Sequence, residues 1–231
     1  MRDPMRASFD RQLDSLSGQL IMMAASAASA IRGASVCLFA SDLMAAGRVL
    51  DAASDLSDSR RSVESHTFEL LARRQPVATD LRLAWASIQV CYDLERMGAL
   101  AAHVAKTMIR RHPAPVVPAS LTGTVRSMAE LAELMAWKLT RVLEVRHAPL
   151  ADEIIRADDE MDALKVRLIE TVLTDWSYGI ATAVDVAQLG RFYERYADHV
   201  VNAAHRVAFL ITGRSGEPGP SNVGDRRAPG R

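Results

Sequence analysis

Little in this sequence breaks a helix. Glycine and proline are sparse before about residue 213, and aromatic residues make up only 5% of the chain. No stretch alternates apolar and polar residues as a half-buried strand does. With alanine abundant, these absences exclude a β-rich fold and favour helix throughout. Net charge is missing too: 28 basic residues balance 28 acidic ones. Bulk charge therefore gives no ground for a nucleic-acid partner or for an anionic membrane surface. There are only two cysteines, Cys37 and Cys91, with no CxxC motif and no basic cluster beside them. Both fall in helical apolar patterns and are expected to be buried free thiols in a reducing compartment. The longest apolar run near the start, Leu20 to Ile31, reads as too short to span a bilayer and is diluted by serine. It also lies behind Asp3, Asp10 and Asp14, too far in for a signal peptide. A soluble, cytoplasmic protein is expected. The P-loop, GxSxG, dinucleotide and kinase signatures are absent as well.

What the sequence has is helical periodicity, six times over. Phe9, Leu13, Leu16, Leu20, Met23, Ala27 and Ile31 recur at spacings of three and four, which predicts a helix over about 5–40. Ser41 or Asp42 is a suitable N-cap for a second helix running to about Leu71. Pro76 interrupts the pattern, and a third helix follows from Leu81 to Met108. His112-Pro113-Ala114-Pro115 makes a linker, and the plan repeats: about 119–146, about 150–175, and about 180–212, with Gly213 as a C-cap. The expected fold is all-α, with two tandem three-helix bundle repeats over 1–113 and 118–213 and a disordered tail over 214–231. Trp85, Trp137, Trp176, Met22, Met23, Met97 and Met108 are expected in the core. His103 and His112 are expected at the surface or at helix ends.

The chemistry-bearing stretch is Tyr193-Glu194-Arg195-Tyr196-Ala197-Asp198-His199. Glu194 and Asp198 stand one above the other on a helix, and two carboxylates so placed repel. At 100° per residue, Leu189, Phe192, Tyr196, Val200, Ala203, Val207 and Leu210 form one core stripe. Glu194 and Asp198 then lie roughly 160° from Tyr196, on an outward or groove-facing side shared with Arg191 and His205. His199 reads as local packing. The preceding helix carries a second such pair, Asp158 and Asp162. Adjacent antiparallel helices set the two pairs side by side, and four carboxylates with no lysine nearby call for a cation. All-oxygen donors suit Mg, Mn, Ca or iron. Alternatively, both pairs are simply solvated polar faces. An echo of the pattern, Asp93-Leu94-Glu95-Arg96-Met97-Gly98-Ala99, keeps Glu95 but has Ala99 where the later copy has Asp198. Glu144-x-x-His147 is a single copy beside Pro149, which is too little for a ferritin-like di-metal site.

Arg74-Gln75-Pro76-Val77-Ala78-Thr79-Asp80-Leu81-Arg82 resembles the QPVA-DLR signature of the PhoU family, and the two Glu-Arg segments resemble its repeated ER-(I/M)-GD and ER-x-ADH helices. The likeness covers about residues 6–213 and is nearest the actinobacterial branch. It implies a cytoplasmic, non-enzymatic, all-helical protein that often dimerises. Such a protein represses the phosphate-starvation response between the phosphate ABC transporter, with its ATPase, and the sensor histidine kinase of the phosphate regulon. The family's paired E(D)xxxD motifs hold iron, zinc, magnesium or manganese. Carried over, the metal set is Asp158, Asp162, Glu194 and Asp198. The first-repeat site is degenerate at Glu95 and Ala99, opposite Ala53 and Ser57, with Asp51 and Asp55 as a nearby pair. One metal site per chain is expected, in the second repeat. Arg74, Arg82 and Arg96 are candidates for partner binding or are solvated arginines. A metal-dependent helical enzyme, a metal-storage protein and an adaptor for an unrelated transporter stand as alternatives.

Overall fold

A computed structural model describes residues 4–72, 78–174 and 176–212. Six helices account for nearly all of it: α1 Pro4–Ala40, α2 Leu43–Ala72, α3 Ala78–Arg111, α4 Thr122–Val145, α5 Ala148–Thr174 and α6 Ile180–Thr212. One 3-10 turn, Ala119–Leu121, precedes α4. Among the described residues there is no strand, as the missing alternation requires. Local chemistry sets several of the boundaries. The Asp42 carboxylate accepts the N–H groups of Met44 and Ala45 at 2.9 and 3.0 Å, capping α2. Arg146, in a left-handed conformation, closes α4 by donating its N–H to the Val142 carbonyl at 2.9 Å. Gly179 takes φ +80°, which only glycine adopts freely, and its carbonyl accepts the Ala183 N–H at 3.2 Å to start α6. Arg74, Gln75, Pro76, Gly213 and the tail 214–231 lie outside the described residues.

In each repeat all three helices pack on one another, and the repeats join through α3 on α6 and α1 on α4. Both pairings are antiparallel. The end of α3 meets the start of α6 where Arg110 pairs with Asp185 at 2.5 Å, and the middle of α3 meets the later part of α6 where His199 Nδ1 lies 3.0 Å from Asp93. Likewise Arg32 approaches Glu133 at 3.7 Å, and Arg126 lies over the Phe39 ring at 4.4 Å, which runs α4 against α1. The two units therefore lie side by side around one continuous apolar core. Gly98 and Gly190 allow the closest helix approaches: a Cβ there would stand 2.5 Å from Leu56 and 2.6 Å from Leu168.

Several core expectations hold, and others need correction. Cys37 and Cys91 are buried free thiols. Burial pushes Cys37 up to about 11 and Cys91 up to about 12, which keeps both protonated and unreactive. Met23, Met97 and Met108 are buried, but Met22 is 72% exposed, Trp85 62% and Trp137 37%. Met22 and Trp85 stand on faces that their neighbours leave largely open, and Trp137 is partly covered. The α6 core is also wider than one stripe. Tyr193, Ala197 and Ala204 are fully buried, while Phe192 and Leu210 are only partly so. The cause is packing on several sides: α6 touches α3, α4 and α5, and its tyrosines reach α1. Tyr196 donates to the Ala27 carbonyl at 2.9 Å, and the Tyr193 hydroxyl lies 3.0 Å from that of Ser35.

The apolar stretch in α1 is longer than the run Leu20 to Ile31. From Arg11 to Ala40 this helix is long and apolar enough, by length and composition, to cross a membrane. The longer span reaches that length because apolar residues continue on both sides of the run, from Leu13 and Leu16 to Val36, Leu38 and Phe39. Half of its most apolar window is buried in the bundle, against α2, α3 and α4.

Candidate cation site and its first-repeat counterpart

The seam between α5 and α6 brings the predicted carboxylates together. Asp158 is half-buried on α5, and its carboxyl is raised to about 6 by burial, then by Asp198, Asp162, Asp159 and Glu194. Asp198 is raised in the same way by burial, Glu194 and Asp162, with His199 and Lys165 opposing. Asp158 thus feels the charge of the other three, and Asp198 that of Glu194 and Asp162. Their phase is the expected one, because Asp162 and Asp198 are exposed while Asp158 and Glu194 sit partly covered in the groove. Arg191 on the same side is exposed and His205 is half-buried.

The expectation that no lysine stands nearby is wrong. Lys165 Nζ lies 2.5 Å from Glu194 Oε1. It follows Asp162 by three residues, so one helical turn brings it to the same face. That i, i+3 spacing was available in the sequence and places Lys165 on the face of Asp162, though not against Glu194.

The seam between α2 and α3 is the first-repeat counterpart. Glu95 occupies the position of Glu194, and neither of its oxygens faces open water alone. Ser57 donates its hydroxyl to Oε1 at 2.8 Å, and Arg60 Nε lies 2.9 Å from Oε2. Arg60 also bonds Glu64 at 2.6 Å and lies over the Tyr92 ring at 4.9 Å. Ala53 and Ser57 face this seam from α2 without a carboxylate, Ala99 supplies none from α3, and Asp51 and Asp55 are exposed. The degenerate first-repeat site is thus a guanidinium–carboxylate pair, which sequence reading missed. Arg60 follows Ser57 by three residues, as Lys165 follows Asp162.

Between the seams lies a third cluster. Asp93, 5% exposed, pairs with Arg206 and faces His199 Nδ1 at 3.0 Å. Burial, then the charges of Arg96 and Arg195, lower His199 below its ordinary value. A neutral imidazole facing a carboxylate must carry its proton on Nδ1, so His199 donates to Asp93. The residue expected to do only local packing is therefore a polar tie between the repeats.

The remaining candidates scatter. Arg82 is half-buried beside a cavity of about 280 Å³ that Leu20, Leu83, Leu143, Arg146 and Val207 also line. Arg96 is exposed about 21 Å further along α3. Glu144 and His147 are exposed, with Glu144 paired to Arg141 at 2.5 Å, and no second Glu-x-x-His faces them. His103 is exposed and stacks on Phe192 at 5.2 Å. Exposed apolar residues gather at corresponding places: Phe68, Leu81 and Trp85 where α2 leads to α3, and Leu173, Ile180 and Val184 where α5 leads to α6. Because α3 and α6 are antiparallel, the two groups lie toward opposite ends of the bundle.

The second-repeat seam has oxygen donors and surplus negative charge. All the acids offer oxygen, and Lys165 leaves enough negative charge uncompensated to raise Asp158 and Asp198. It is not a closed ligand set, since among the described residues no three His, Cys, Asp or Glu side chains converge on one point.

Fold and site together define a class: an all-α protein of two antiparallel three-helix repeats, with an acid–base seam in each. The comparisons make the class specific. The model of the PhoU domain matches residues 20–108 and again 125–207. The phosphate-specific transport system accessory protein PhoU homolog 1 of Mycobacterium leprae is 40% identical over 210 residues, 90% of this chain and 95% of that one. The PhoU homolog 2 of Mycobacterium tuberculosis is also 40% identical, over 90% of this chain and 99% of its own length. The crystal structure of the phosphate transport system regulatory protein PhoU from Streptococcus pneumoniae superposes with a TM-score of 0.80 at 22% identity, over 90% of this chain and 99% of that one. PhoU from Pseudomonas aeruginosa gives 0.80 at 24% identity, over 89% and 100%. The chain belongs to the PhoU family.

Proposed function

We propose that this chain is a non-enzymatic negative regulator of phosphate uptake and of the phosphate-starvation response. In this reading it works at the cytoplasmic face of the phosphate ABC transporter and holds the partner sensor histidine kinase in its kinase-off state when phosphate is plentiful. The observation that carries the reading is identity of 40% along nearly the whole length of relatives named as phosphate-transport accessory proteins. The site chemistry is consistent with an adaptor, since the seams hold charge pairs and carboxylates rather than a nucleophile with its base. Control of the kinase requires different affinities for its two states, because a partner bound equally well in both shifts nothing.

Docking is assigned to the exposed groups around Trp85 and Val184, which give one molecule two apolar contact areas toward opposite ends. The chain is read as a homodimer in solution. Asp158, Asp162, Glu194 and Asp198 would hold a divalent or trivalent cation, with iron, zinc, magnesium and manganese as the candidates. Bound there, the cation would neutralise the carboxylates and tie α5 to α6.

The test is a deletion strain assayed for phosphate-regulated transcription in high phosphate. Derepression is expected, with full repression restored by the intact chain. Repression unchanged in the deletion strain would count against the regulatory role. Retention of the transporter ATPase and of the sensor kinase on the immobilised protein is expected to weaken in Trp85→Ser and Val184→Ser. Retention of neither by the intact chain would remove the adaptor reading.

A further inference from the structure

A cavity of about 280 Å³ lies where the two repeats meet at one end of the bundle. The first half of α1, the first turns of α3 and the last turns of α4 and α6 wall it, and these are the helices that join the repeats. We propose that it binds one free medium-chain fatty acid, with the chain among the leucines and the carboxylate on Arg146 and Arg82. The site is separate from the carboxylates of the α5–α6 seam and goes beyond the regulatory reading.

The walls select the chain. Leu20 and Val207 are buried there, while Leu83, Leu143, Leu210 and Ile211 remain only partly covered. Apolar surface left wet in this way gains by being covered, and an alkyl chain covers it without setting polar groups against the leucines. The rim selects the head group. Arg146 stands in a left-handed conformation just past α4, and its guanidinium reaches across to α1 and donates to the Ser17 hydroxyl at 3.2 Å. Among the described residues no carboxylate pairs with Arg146, since Glu144 beside it is held by Arg141. Arg82 brings a second guanidinium to the same walls, and no acid stands among the described lining residues. A guanidinium fork matches the two oxygens of a carboxylate, and a charged acceptor is a stronger partner than a neutral hydroxyl. The volume limits the length. Small-molecule sites run upward from about 300 Å³, so this one takes a single short chain rather than the paired chains of a phospholipid.

The experiment titrates the full chain calorimetrically with decanoate, kept below its micelle concentration. Decanoate is expected to bind with a Kd below about 100 µM, decanol at least about tenfold more weakly, and decyltrimethylammonium not at all. Arg146→Asn keeps a residue that tolerates the left-handed backbone. It should weaken decanoate about fivefold and leave decanol unchanged, because it removes the charge and not the chain contacts. Leu143→Trp, which fills the cavity, should abolish binding of both. Decanoate carrying a diazirine at its chain end should crosslink to peptides that contain Leu143 or the stretch from Val207 to Ile211, a measurement that needs no variant to fold. The proposal is overturned if the wild type binds no decanoate, if decanol binds as tightly, or if the crosslinks fall outside the cavity walls. Retention on phosphatidylglycerol vesicles without binding of dissolved decanoate would also overturn it, since the contact would then be with a membrane surface.

Discussion

The α2–α3 seam and the α5–α6 seam start from one plan and end with opposite electrostatics. In the first, Arg60 pairs with Glu64 and Glu95, Ser57 bonds Glu95, and Ala53 and Ala99 stand where the second has carboxylates. In the second, Lys165 answers Glu194 while Asp158, Asp162 and Asp198 are left pressing on each other. The difference shows how a duplicated structural unit divides its duties. One copy spends its polar residues on its own cohesion. The other keeps a charge imbalance, which costs stability in the free protein.

The comparison can be broken or sharpened experimentally. The largest effect is expected at the polar tie between the repeats. Asp93→Ala takes the buried partner from a half-buried Arg206 and removes the acceptor of His199, and should cost roughly 2–3 kcal/mol in urea unfolding. An unchanged midpoint would show that apolar contacts alone hold the repeats together. Next comes Arg60→Met, which leaves Glu95 and Glu64 without their cation and should cost about 1–2 kcal/mol. Lys165→Met should cost under about 1 kcal/mol, because its pair is half-exposed and water screens it. Equal losses would show that the two pairs are held alike despite their different exposure.

Asp158 makes the imbalance a function of pH. Its native carboxyl binds a proton near pH 6, and the ordinary value is 3.8. Between those values the native state holds more protons than the unfolded chain, so this residue's contribution to stability falls as pH rises and is fully unfavourable above about pH 6. Asp158→Asn, measured without divalent cations, should therefore be more stable than wild type at pH 7 by about 1 kcal/mol after solvent screening. The gain should vanish below about pH 4. No corresponding effect is expected in the first seam, where Ala53 stands in the place of Asp158. The smallest change is expected from Ala99→Asp, which restores the carboxylate missing from the first repeat. Next to a satisfied Glu95 it should shift stability by no more than about 0.5 kcal/mol and confer no Mn²⁺ binding.

Much of this was legible in the residues. The helix ends followed from Asp42, His147-Ala148-Pro149 and the Ser177-Tyr178-Gly179 turn, because capping and backbone restrictions act within a few residues. The outward phase of Glu194 and Asp198 followed from helical rotation alone. Trp85, Trp137 and Met22 were misplaced because apolar character says only that a side chain gains by burial. Whether a neighbour covers it depends on how helices dock. Tyr193 was missed for the converse reason: a helix packed on several sides buries a sector wider than one stripe.

By itself, the sequence determined the six helices, their grouping into two repeats, the family, and the stacking of acids along α5 and α6. All of these rest on spacings within a helix or on motifs a few residues long, where covalent geometry sets which side chains share a face. Only the tertiary structure decided which charge answers which. Lys165 with Glu194, Arg60 with Glu95, and Asp93 with His199 and Arg206 are meetings between helices 29 to 113 residues apart in the chain. Ion pairing depends on distances of a few ångströms, and those follow from the rotation and closeness of packed helices, which no periodicity along one chain specifies.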